Sequence, residues 1–120
     1  MIGKTLCCGT LCDAQNRVLF SRAVRPFGFF SRLRGLIGHE EPGVSEAWWF
    51  IRCQAIHTFG MQYPIDVLHL SAEGRVLRIC AELAPGRISL CSRGRQVVEL
   101  RAGGATHWNI HVGSQLRFCP

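Results

Sequence analysis

Lysine is nearly missing from this chain: Lys4 stands alone beside thirteen arginines, with only eight acidic residues against them and a net charge of +6. Arginine in place of lysine permits bidentate recognition of carboxylate or phosphate, although a GC-rich genome would give the same bias. Long apolar runs are missing too. No stretch approaches the ~18 residues of a membrane span, so no transmembrane helix is expected. The first twelve residues carry one lysine and a short apolar segment broken by Gly9, a poor match to an export signal; the expected location is the cytoplasm. Cys-x-x-Cys knuckles are absent, which excludes the usual structural zinc site for the seven cysteines. Their odd number and the missing export signal predict free thiols and no disulfide framework. Nucleophile elbow, phosphate loop, internal repeat and low-complexity tract are also lacking.

What remains is the composition of a folded domain: 120 residues, 48% hydrophobic and 18% charged, enough for a single core and one domain spanning residues 1–120. Thr5–Cys12 and Arg17–Ala23 read as two strands around a polar turn. Phe30, Leu33, Leu36 and Ile37 share one stripe of a short amphipathic helix that Gly38 would stop. Ala47–Arg52 reads as an aromatic-rich strand. Arg75–Leu83 reads as a strand that makes a hairpin with the one before it, through Ala72-Glu73-Gly74. In Gln96–Ala102, Val98 and Leu100 alternate with Val97, Glu99 and Arg101. A short turn or helix follows near Ala105–Trp108, and Gln115–Phe118 closes the sheet. The expected fold is α+β: a mostly antiparallel curled sheet or small β-barrel of about six to eight strands, with one or two short helices.

The richest chemistry lies between Cys53 and Leu70, which holds a thiol, two imidazoles, a thioether, a phenol and a carboxylate. Gly60 opens backbone conformations closed to other residues and Pro64 keeps Tyr63 out of the helical region, so 57–63 reads as a shaped loop. Ile65, Val67, Leu68 and Leu70 are apolar on both strand faces, the mark of a strand covered from both sides. Asp66 in such a strand needs hydrogen bonds or a cation. It is expected to accept backbone N–H groups of the His57–Met61 loop; the alternative is a functional anion paired with His57 or Arg34. Cys53, His57 and Met61, spaced by fours, would suit Cu(I) on a helix. Gly60 and Pro64 argue against that helix, so no metal and no cofactor is expected.

His57-Thr58-Phe59-Gly60-Met61 followed by Pro64-Ile65-Asp66-Val67 resembles the hallmark of the domain-of-unknown-function family 192. Arg34-Gly35-Leu36-Ile37 resembles that family's Arg-Gly-Leu-Met element, and Val98-Glu99-Leu100 with Ala102-Gly103 its Leu-Glu-Leu and glycine segment. Gly113 matches a closing Gly-Asp turn in which this chain has Ser114. The resemblance runs from about Arg32 to Phe118 and implies a compact domain of mixed sheet and short helices, without supplying a reaction.

Three functional classes follow. The favoured one is a non-catalytic binding or accessory module whose site surrounds the His57–Asp66 loop, with His57, Met61, Asp66, Arg34, Glu99 and Cys53 as candidate residues. Trp48, Trp49, Phe50, Phe59 and Tyr63 could line its surface, and a protein partner or a small anionic ligand would suit it. The second is a small hydrolase-like enzyme using Cys53, His57 and Asp66. The third, a nonspecific nucleic-acid binder, rests on the positive charge alone and is disfavoured by the lack of stacking aromatics among the basic residues.

Overall fold

The computed structural model describes residues 6–26 and 38–120. Arg34 and the helix expected across residues 30–37 lie outside them. Nine strands and one helical turn are found among the described residues: β1 (Leu6–Cys12), β2 (Val18–Pro26), β3 (Glu46–Ile51), β4 (Ala55–His57), β5 (Ile65–Leu70), β6 (Val76–Leu83), β7 (Ile88–Leu90), β8 (Gln96–Arg101), α1 (Gly104–His107) and β9 (Arg117–Cys119). Seven form one sheet in the order β6-β5-β8-β3-β2-β1-β9, while β4 and β7 pair separately as a small ribbon. Every pairing is antiparallel except β2 with β3. No helix among the described residues is long and apolar enough to cross a membrane.

Local sequence explains the strands. In β1–β2 the turn is set by Asp13, whose carboxylate accepts the Gln15 and Arg17 N–H groups, both at 2.9 Å, and by Asn16 in the left-handed region at φ 63°. The β5–β6 hairpin turns at Gly74 (φ 89°), as expected. All six residues of β5 are buried, because both faces of the sheet are covered. One face holds Leu11, Phe20, Trp49, Leu68, Leu70, Val98 and Leu100 under α1 and the segment after it. The other holds Trp48, Phe50, Met61, Ile65, Val67 and Val97, with Ile56 of the ribbon packed on them. The alternation through Val97, Val98, Glu99 and Leu100 therefore feeds two cores, one on each side of β8.

The barrel expectation is not met. The sheet curls until its two ends touch at one corner: Gly113 N–H donates to Val76 O (2.8 Å), Val76 N–H to Ser114 O (2.8 Å) and Leu116 N–H to Gly74 O (3.0 Å). Beyond that corner β6 and β9 do not pair, and the sheet stays open. Closure needs a full ladder between the end strands, and the three residues of β9 are spent on pairing with β1. Among the described residues the helical part of the α+β expectation is α1, four residues long.

Candidate functional site

The loop after β4 is built on Thr58, which is fully buried. Its N–H donates to Arg87 O (2.8 Å) and its hydroxyl to Ala84 O (2.7 Å), while the same hydroxyl accepts the Arg87 N–H (2.8 Å). Its carbonyl accepts the N–H groups of Gly86 (3.0 Å) and Met61 (3.2 Å). These bonds clip the loop to the turn between β6 and β7, and Gly60 at φ 84° lets the chain reverse inside the clip. Residue-type reasoning overlooked Thr58; the signal was a small hydroxyl residue between His57 and a glycine turn.

Asp66 is an acceptor of backbone N–H groups, but not of those in the loop. Its side chain is on the Leu100 side of the sheet, cross-strand from that residue, and is only 1% exposed. One carboxylate oxygen accepts Glu82 N–H (2.8 Å) and Gly103 N–H (3.1 Å); the other accepts Ala105 N–H (3.0 Å). The first bond supports a bulge: β5 and β6 slip register between Ile65 and Val67, and Glu82 takes φ 52°. The other two satisfy the start of α1, where Gly103 at φ 87° has no side chain to cap with. Asp66 thus fastens a strand bulge and a helix start to one central strand, and neither His57 nor any described arginine is among its partners.

Met61 and Glu99 lie on the opposite face. Glu99 sits across from Trp48 on β3 and Val67 on β5, is 5% exposed, and has a carboxyl pushed up to about 8 by burial. At neutral pH it is therefore mostly a carboxylic acid. Met61 and Tyr63 line a pocket of about 120 Å³ with His39 and Gln62. The Tyr63 hydroxyl points at the carbonyls of His39 (3.1 Å) and Glu40 (3.2 Å), and the His39 ring leans on Trp48 at 4.9 Å. The Tyr63 phenol is pushed up first by burial and then by the negative charges of Glu99, Glu41 and Glu46.

His57 and Cys53 go elsewhere again. His57 is exposed, accepts the Phe59 N–H on Nδ1 (3.2 Å) and stacks on the Phe59 ring at 5.1 Å. The Cys53 thiol donates to Ala55 O (3.2 Å) and lines a separate cleft of about 530 Å³ with Arg52, Gln54 and Arg95. Cys53, His57 and Asp66 are thus engaged with three different sets of backbone groups, and no nucleophile–base–carboxylate relay is assembled from them. No group of three or more His, Cys, Asp or Glu side chains placed to hold a metal ion occurs among the described residues.

The tertiary structure gathers a surface the sequence reading missed. In the β4–β7 ribbon Ala55 pairs with Leu90 and His57 with Ile88, and their side chains face outward; Ile56 and Ser89 between them face the sheet. Phe59, Ile88 and Leu90 are 50%, 66% and 56% exposed. The ribbon is pinned from below by His69 of β5, whose Nε2 lies 2.7 Å from Ser89 Oγ. His69 is fully buried, its Nδ1 has no hydrogen-bond partner, and its pKa is lowered by burial and then by Arg78. The signal for the ribbon was faint: two three-residue strands, one of them the alternation Ile88-Ser89-Leu90. Of the aromatics singled out, Trp48, Trp49 and Phe50 are core, Tyr63 is half-buried, and only Phe59 stands out in solvent.

The family model described as Uncharacterized ACR, DUF192, matches residues 27–118. Among curated proteins none matches. A solved protein of unknown function from Novosphingobium aromaticivorans is similar over 93% of this chain and 84% of its own, at 20% identity and a TM-score of 0.74. A Sinorhizobium meliloti structure, described as a candidate transcription regulator, covers 98% and 97% at 19% identity and a TM-score of 0.75. A Burkholderia pseudomallei protein, described as a candidate exported protein, matches 95% of this chain with a quarter (25%) of its own, at 19% identity and a TM-score of 0.53. At such identities the likeness is one of fold.

Proposed function

We propose that this chain, which belongs to the DUF192 family, is a non-catalytic binding module whose docking face is the outer side of the β4–β7 ribbon. One observation carries the reading: Phe59, Ile88 and Leu90, each at least half exposed, form one continuous patch. Cross-strand pairing sets Ile88 beside His57 and Leu90 beside Ala55, and the Phe59 ring stacks on His57. Burial of a side chain of this size contributes about 1.5–3 kcal/mol, so an exposed group of three is a liability unless a partner covers it.

The surrounding charge selects the partner. Exposed Arg78, Arg87 and Arg93 flank the ribbon, and Arg78 reaches Leu90 O at 3.3 Å. An apolar segment of a protein carrying several acidic residues fits both features. Selection of displayed random peptides against the whole protein tests the idea. Peptides mixing apolar and acidic residues should be enriched, and fluorescence anisotropy should show at least a tenfold loss of affinity (about 1.4 kcal/mol) for Ile88→Asp with Leu90→Asp. Their exposure means the double variant should keep its Tm. Enriched peptides that bind the variant as tightly, or that are basic, would sink the assignment.

A further inference from the structure

We propose that Cys12 and Cys119 form a dithiol site for reversible oxidation, which takes a low-molecular-weight disulfide such as glutathione disulfide and closes to an intramolecular bond. The two sulfurs are 3.3 Å apart, although 107 positions separate them in the chain. A disulfide needs about 2.05 Å between sulfurs, so the approach required is small.

The placement arises from the sheet edge. β9 pairs with β1 so that Thr10 faces Cys119 and Cys12 faces Arg117, which puts the two cysteines on a diagonal. Diagonal Cα atoms stand about 7–8 Å apart in a regular ladder, beyond the roughly 6.8 Å within which a disulfide closes without backbone movement. Closure therefore needs a slight slide of β9, and a three-residue edge strand bonded on one side can supply it. The strand is nonetheless well seated. Phe118 lies under the Arg25 guanidinium at 4.0 Å and edge-on to Trp49 at 6.1 Å. The end of the chain rests on Gly9, where any Cβ would collide with the Cys119 carbonyl. The thiols are thus held together in the reduced state rather than meeting by chance.

Their unequal exposure sets the order of steps. Cys12 is buried and Cys119 partly open. The Cys119 thiolate attacks one sulfur of glutathione disulfide, forming a mixed disulfide and releasing one glutathione thiolate. Cys12 then loses its proton and attacks the Cys119 sulfur, forming the internal bond and expelling the second glutathione thiolate. Two protein thiols are oxidised, one small disulfide is reduced, and the two protons end on two glutathione molecules. The hydrogen bond with Cys12, and secondarily burial, holds the Cys119 thiol above its usual range. The first step should accordingly quicken as pH rises.

Incubation of the full chain with glutathione disulfide, quenching with iodoacetamide and peptide mapping decides the matter. Titratable thiols should fall from the seven of the sequence to five, seven less the pair, with one linked peptide joining Cys12 to Cys119 and a higher Tm that dithiothreitol reverses. In Cys12→Ala, Cys119 should instead retain glutathione. The mapping on the unaltered chain stands even if that variant folds poorly. A persistent glutathione adduct on Cys119 in the unaltered chain, bonds to the remaining cysteines in its place, or no thiol loss at all would each overturn the proposal.

Discussion

Replacing Asp66 separates a structural carboxylate from a functional one. Its two oxygens serve three backbone donors, that of Ala105 buried and those of Glu82 and Gly103 part-buried. Asp66→Ala strands all three. A buried donor without a partner costs about 1–3 kcal/mol, and partial hydration of the vacated space offsets some of that, so the expected loss is about 3–6 kcal/mol. That is a large part of the ~5–15 kcal/mol by which ordinary domains are stable. Asp66→Asn keeps one oxygen for Glu82 and Gly103 and turns its amide toward Ala105, so a single bond is lost, at about 1–3 kcal/mol. Urea unfolding followed by far-ultraviolet circular dichroism measures both, and hydrogen exchange at Gly103 and Ala105 locates the damage. The expected order is Ala far worse than Asn, with faster exchange at the start of α1 in both. Equal and negligible losses would mean that water already serves these donors and that Asp66 holds nothing together.

Glu99 gives the opposite kind of test. Its folded value of about 8 lies above the ordinary carboxyl value of 4.5, so the folded state holds the proton more tightly and stability falls as pH rises between those values. Across the roughly 2.5 units from 4.5 to 7 the loss amounts to about 3 kcal/mol; Glu99→Gln should abolish that slope in urea melts across the range, and an unchanged slope would refute the burial argument. His69 acts in the other direction: its folded pKa lies below the ordinary imidazole value of 6.5, so stability should decline as pH drops below 6.5 toward the folded value. His69→Leu should remove this decline while speeding hydrogen exchange at Ser89 of the ribbon. Thr58→Val loses the donor to Ala84 and the acceptor for Arg87; a cost of about 1–3 kcal/mol, with exchange quickened at Arg87, is expected by the same melts.

Alternation and turn residues were enough to mark eight of the segments that became strands or helix. Val97 to Leu100 displays its two faces in sequence, and Gly74 and Asn16 announce their turns, because side-chain direction and backbone sterics act over a few residues. The structural role of Asp66 was legible for a similar reason, since a carboxylate inside a doubly apolar strand must be bonded. Which groups bond it was not. Its donors lie 16, 37 and 39 positions away, and only the packing of β6 and α1 onto β5 brings them near. The ribbon was invisible locally, as three-residue strands are too short for periodicity and gain order only by pairing across the core. Glu99 alternates in β8 like a solvent-facing residue, yet it is buried because a loop and a ribbon cover its face. The gap between β6 and β9 beyond their shared corner likewise depended on the summed curl of seven strands against the length of the last one. Local sterics and alternation determine what each segment becomes. The long-range pairing and coverage of faces decide which side chains meet and which stay exposed.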